Sequence, residues 1–127
     1  MKTFYMNGIL WHVKFVSPHS DWLVDRTGAL TVATTDPATS TVYLSDSLEG
    51  EFLLHVLIHE LSHCILASYS LLDDIHRMVY PEYWIEMEEW ICNFIANYGW
   101  QIFTDAYEIL GYDALDILPY ELERLIS

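Results

Sequence analysis

An α+β domain is what this chain predicts. Period-two apolar segments crowd the first 45 residues, longer helical runs fill the remainder, and no repeat, low-complexity stretch or linker separates the two halves. The first clear strand is Ile9–Val16, where Ile9, Trp11, Val13 and Phe15 alternate with Leu10, His12, Lys14 and Val16. Ser17-Pro18-His19-Ser20 breaks it. Asp25-Arg26-Thr27-Gly28 reads as a turn leading into a strand over Ala29–Thr34. Asp36-Pro37-Ala38-Thr39-Ser40 is a second turn, and Thr41–Leu44 a short β-branched strand that pairs with its predecessor as a hairpin. These segments predict a small antiparallel or mixed sheet of three to four strands. A first helix then runs from about Leu48 to Tyr69, with Ser45-Asp46-Ser47 offering N-cap acceptor oxygens and Glu49 and Glu51 at the positive end of its dipole. Asp73 to Pro81 reads as a connection with a short helical turn. A long second helix runs from about Glu82 to Leu110, with Gly99 marking a kink or close packing and Gly111 as C-cap. Its stripe Trp84, Trp90, Phe94, Tyr98 and Trp100 reads as core, with an exposed partner surface as the alternative. Asp113 to Leu118 and Tyr120 to Ile126 read as short terminal helices, the last of which could dock on the domain or on a second subunit.

The totals narrow the function. At 127 residues the chain predicts one domain over 1–127, and 53% hydrophobic residues with 15% aromatics exclude a disordered protein. No apolar stretch is long enough for a membrane span and no secretory signal is legible, so a cytoplasmic protein is expected. Two cysteines, Cys64 and Cys92, are too few for a disulfide framework and form no C-x-x-C metal knuckle. A net charge of −14 with only five lysines and arginines argues against nucleic acid as a partner. The same charge would attract a divalent cation or a basic partner, or simply keep the chain soluble.

The most informative segment is His59-Glu60-Leu61-Ser62-His63, set within the apolar run Phe52 to Ala67. Two histidines four apart lie on one face of a helix, one turn from each other, and can grip one tetrahedral zinc ion. The glutamate beside the first histidine is then placed as general base toward a water on that metal. Three ionisable groups on a buried helix are costly without such a partner. A catalytic site needs a third protein ligand. Among Glu86, Glu88 and Glu89 on the second helix, Glu89 shares its face with the small Cys92 and Ala96, which lets that face approach the first helix. Glu88 shares a bulky face with Trp84, Ile91 and Ile95 and is the alternative; His76 is a weaker one. His55 lies one turn before His59 and reads as a cleft or core histidine. Asn93, Asp73 and Asp74 are candidates for hydrogen bonds to the ligating histidines, and Tyr80, Tyr83 and His76 for help at an oxyanion.

His-Glu-x-x-His followed by a glutamate from the next helix is the gluzincin order. Leu57-Ile58-His59-Glu60-Leu61-Ser62-His63, with Glu89-Trp90-Ile91-Cys92-Asn93-Phe94-Ile95-Ala96, resembles the ImmA/IrrE-like minimal metallopeptidases, in a compact phage or prophage branch. Glu89, Asn93, Ile95 and Ala96 match that family's E-x-x-A-N-x-F-A stretch, and Cys92 stands where it has alanine. The resemblance covers most of residues 9–100. It implies a zincin-like fold, one Zn2+ per chain and an origin in a mobile element, hence a host cytoplasm. In better-known relatives the substrate is a repressor protein, although this chain shows no helix-turn-helix.

The expected function is therefore a zinc metallopeptidase that hydrolyses a bond in a specific protein or peptide. Glu60 is its catalytic residue, His59, His63 and Glu89 its metal ligands, and His55, Asn93 and His76 neighbours of the site. A substrate could pair with one arm of the 29–44 hairpin. The alternative is a zinc-containing acidic protein-binding module without proteolytic activity.

Overall fold

The computed structural model describes residues 2–112. Strand β1 (Lys2–Met6) and strand β2 (Ile9–Val16) form an antiparallel hairpin, followed by β3 (Ala33–Asp36) and β4 (Thr41–Ser45), a second antiparallel hairpin. The strand order is β1-β2-β4-β3, with β2 and β4 parallel, so the sheet is mixed and β3 is an edge. Helices follow: α1 (Gly50–Ser68), α2 (Leu72–Met78), α3 (Trp84–Phe94) and α4 (Trp100–Leu110). The α+β class read from the sequence is the class observed.

Asn7 and Gly8 explain the first hairpin. Both carry positive φ, 51° and 77°, as a type I′ turn requires, and Asn-Gly is the pair that tolerates it best. The second hairpin lies later than the sequence predicts, at Ala33–Asp36 instead of Ala29–Thr34. Residues before it are committed elsewhere. Leu30 bridges to Val24, and Thr31 gives both its N–H and its hydroxyl to the carbonyl of Leu23. This small hairpin within the β2–β3 connection closes the Asp25–Ala29 turn. Beside it, Trp22 stacks on Tyr43 with centroids 4.8 Å apart.

Helix α1 begins at Gly50, with Glu49 as N-cap and no side-chain cap bond. Ser45 and Ser47 do not cap it: Ser45 still belongs to β4, and its hydroxyl bonds that of Ser47. Its far end is closed by a Schellman motif in which Leu71 N–H reaches Leu66 O and Ser70 N–H reaches Ala67 O, with Ser70 in the left-handed region at φ 57°. Leu66 and Leu71 pack together beneath that turn.

Two apolar clusters grip α1 from opposite sides. Val56 and Cys64 join Trp11, Val13, Val42 and Leu44 of the sheet. Leu66 joins Ile75 of α2 and Cys92 of α3, with Trp84, Met87 and Ile91 around them. The helix is not buried all round as its composition suggests, because Leu54 and Ile65 face neither cluster and remain exposed. Polar ties fasten its C-terminal end: Trp11 Nε1–H donates to Ser68 Oγ at 2.8 Å, and Asn7 Nδ2–H to Ser68 O at 2.9 Å.

The helix expected over Glu82–Leu110 arrives in pieces. A 3-10 turn at Pro81–Tyr83 precedes α3, and a π-helical stretch, Ile95–Gly99, separates it from α4. Gly99, expected at a kink, closes that stretch. Gly111 ends α4 with φ 63°, as a C-cap glycine should. Trp90 and Trp100 are about 60% exposed, so these members of the aromatic stripe are not core. The connection after Asp73 holds a full helix, α2. Among the described residues, the contacts separate those up to Asn97 from those that begin at Tyr98. Everything that builds the site described below belongs to the first group. The terminal helices expected beyond Asp113 lie outside the described residues. Among the described residues, no single helix is long and apolar enough to cross a membrane.

Replacing Ser68 with alanine leaves the buried Trp11 N–H without its acceptor. We expect a loss of about 1–3 kcal/mol in urea unfolding, with Ser68→Thr retaining most of the stability.

Candidate metal centre

Three donor side chains meet in a cleft of about 770 Å3 between α1, α3, β3 and the Asp25–Ala29 turn. His59 Nε2 and His63 Nε2, one turn apart on α1, are 3.2 Å from each other. Glu89 reaches across from α3 and sets Oε2 3.2 Å from His59 Nε2 and Oε1 3.2 Å from His63 Nε2. A tetrahedral zinc with bonds of about 2.0–2.1 Å has ligand atoms about 3.3 Å apart. Each of the three separations in this triangle of side chains therefore matches an edge of such a site, with one Glu89 oxygen facing each histidine. Where α3 meets α1, the small and fully buried Cys92, one turn on from Glu89, packs in the cluster with Leu66.

Glu60 is near this triangle but outside it. Its Oε2 is 3.8 Å from His59 Nε2, while Oε1 accepts a hydrogen bond from Thr35 Oγ1 at 3.0 Å. The donor atoms of His59, Glu60 and His63 also lie within 4.8 Å of one another, so a second triad shares the histidine pair. Glu89 contacts both imidazoles at 3.2 Å, whereas Glu60 is held by Thr35. Burial pushes the Glu60 carboxyl up, against the opposing pull of His63, His59 and Thr35, which suits a proton acceptor more than a ligand.

Glu88 takes a different place from the one weighed for it as a ligand. Its Oε1 is 2.9 Å from Nδ1 of His63, the ring nitrogen that points away from the triangle. Such a carboxylate fixes the ring and leaves Nε2 to the metal. Glu88 in turn receives Arg26 Nη1 at 2.6 Å, and Arg26 Nη2 lies 3.3 Å from Glu89 Oε1. Burial alone would raise Glu88, but His63 and Arg26 outweigh it and hold the carboxyl below its usual range. Hydrogen bonds from His59 and His63 hold Glu89 far below that range. For His63, burial disfavours the charged ring. Bonds to the Cys92 thiol, Glu88 and Glu89 more than reverse this and push it up to about 12.

His55 and Asn93 line the same cleft, both exposed. His76 does not: it stacks on Trp84 with centroids 3.9 Å apart. Asp74 pairs with Arg77 of its own helix, and Tyr80 and Tyr83 are exposed outside the cleft lining, as Asp73 is outside it. The sequence reading missed Arg26, Thr35 and the role of Glu88. A signal for Glu88 was present: a carboxylate on a bulky, core-like helix face needs a cation or an imidazole as partner. Thr35 and Arg26 sit in ordinary strand and turn positions and carry no such signal. Comparison of the chain with protein-family models, with curated proteins and with solved structures finds no match.

The site dictates how the metal-free protein responds to pH. His63 binds its proton more tightly folded than unfolded, so its stabilisation is complete below about pH 6.5 and is lost as the pH rises toward about 12. Glu60, raised by burial, adds to the decline on that side. Glu88 and Glu89 have lowered values, so their stabilisation is present above about pH 4.5 and is lost as the pH falls. The melting temperature of chelator-treated protein should therefore peak between about pH 4.5 and 6.5 and drop on both sides. A steady rise from pH 5 to pH 9 would contradict this assignment.

Proposed function

We propose that this chain is a zinc metallopeptidase of gluzincin type and zincin-like fold, related to the ImmA/IrrE-like enzymes it resembles. Its ligands are His59, His63 and Glu89, for one zinc ion per chain. The observation that carries this reading is the 3.2 Å triangle with a glutamate beside it that is not a member of it. Two imidazoles and a carboxylate are the donor set of a catalytic zinc site with one position left open.

Zinc in that triangle supplies Lewis acidity toward a carbonyl oxygen and makes water a better acid. Glu60 accepts the proton of the attacking water and returns it to the leaving amine. Thr35 holds one oxygen of Glu60, so the free oxygen is the one nearer the histidines. Glu88 keeps the His63 ring in the tautomer that offers Nε2. The substrate is a protein segment that enters extended and adds to the outer edge of β3, whose residues Ala33 to Asp36 line the cleft. By the family resemblance, that protein is a regulator of a mobile element or of its host, and the enzyme works in the host cytoplasm. Neither nucleic acid nor a membrane is part of the proposal.

A zinc-holding acidic binding module without proteolysis is the second reading. It is favoured by the net charge of −14 and by the exposed Trp90 beside Glu89.

Elemental analysis and a cleavage assay on a mixed peptide library separate the two. We expect about one zinc per chain in both the wild type and Glu60→Gln, with cleavage by the variant reduced about 10²–10⁴-fold. Zinc in both with cleavage in neither would favour the binding module, and no zinc in either would remove both readings.

A further inference from the structure

The inference that follows rests on the proposed metal centre and concerns how it is held in shape. Arg26 is the one arginine or lysine among the residues lining the cleft, and it comes from a loop remote in sequence from His59, His63 and Glu89. That loop is built to aim it. Asp25 Oδ1 accepts from Thr27 N–H at 2.8 Å, Thr27 Oγ1–H at 2.6 Å and Ala29 N–H at 3.1 Å. Gly28 completes the turn at φ 85°, a conformation that side chains rarely adopt, and the Val24–Leu30 bridge closes it. The guanidinium then meets two adjacent carboxylates at once: Nη1 with Glu88 Oε2 at 2.6 Å and Nη2 with Glu89 Oε1 at 3.3 Å.

Each carboxylate is thereby divided between two tasks. Glu88 gives one oxygen to Arg26 and the other to His63 Nδ1. Glu89 shares Oε1 between Arg26 and His63 Nε2 and presents Oε2 to His59. We propose that Arg26 is a positioning residue of the metal centre: its fork holds the Glu89 carboxylate against the histidine pair and, through Glu88, fixes the ring of His63. A lysine has one point of charge and cannot span both carboxylates in this way.

Charge alone predicts the opposite effect. A cation beside a metal site repels the metal, so removing Arg26 should tighten binding if its charge is what matters. The test titrates zinc alone, against a competing chelator, into metal-free wild type, Arg26→Met and Arg26→Lys, and records the visible spectrum of the cobalt(II) forms. If Arg26 positions the ligands, zinc affinity falls about 10–100-fold in both variants, and the cobalt bands change in intensity and position. Unchanged or tighter zinc binding by either variant, with an unaltered cobalt spectrum, overturns the proposal. Arg26→Lys keeps the charge that buried Glu88 requires, so it remains informative if Arg26→Met does not fold. A wild type that takes up no zinc overturns the metal centre itself, a result read from that protein alone and distinct from failure of the two variants.

Discussion

The contact on which the site depends is the one between His63 and Glu88, made inside the packing of α1 against α3. Both side chains are nearly inaccessible, and a lone charge at either position would be expelled or neutralised. Each tolerates burial because the other is there, and because Arg26 satisfies the remaining oxygen of Glu88. With that contact in place, the spacing of the two helices is set. Glu89, the next residue along α3, is carried to the mouth of the cleft, where it meets both imidazoles. The polar interior also imposes a unique registry, since a shift of α3 by one residue would leave a carboxylate unpaired.

The scaffold around this contact has a simple division of labour. The sheet supplies one wall of α1 through Trp11, Val42 and Leu44, and α2 with α3 supplies the other through Ile75 and Cys92. Ser68, bonded to Trp11, and the Schellman turn at Ser70 hold the C-terminal end of α1. Its histidine face is left between the two walls, open to the cleft. The burial that holds α1 also raises the pKa of Glu60, so the packing that orders the helix also favours a proton on the carboxyl beside the histidines.

Much of this was legible in the sequence where periodicity or spacing carries the message. Ile9–Val16 is the strand its alternation predicts, and His59, Glu60, His63 and Glu89 converge as helical geometry requires. Cys92 and Ala96 signalled the close approach of α3 by being small. Other features were hidden because they depend on pairing between distant segments. The Ala29–Thr34 segment has strand composition, yet its first residues are taken by the turn that aims Arg26. Ser45 and Ser47 have cap chemistry, yet strand β4 claims the first of them. Asn7-Gly8 was a hairpin signal with a physical basis and implied a strand before Ile9. The π-helical stretch at Ile95–Gly99 could be anticipated only as a kink at Gly99. The zincin-like fold rests on resemblance, whereas the mixed sheet and the helices after it are observed.

The long sequence separations within the site shape how it comes into being. Arg26 and Glu88 are 62 residues apart, and His63 and Glu88 are 25 apart. A chain growing from its N-terminus therefore presents both histidines well before either carboxylate of α3 exists. In the proposed metal centre, the two imidazoles alone would until then offer a weaker grip than the finished triangle. On that reading, metal selection belongs to the completed fold.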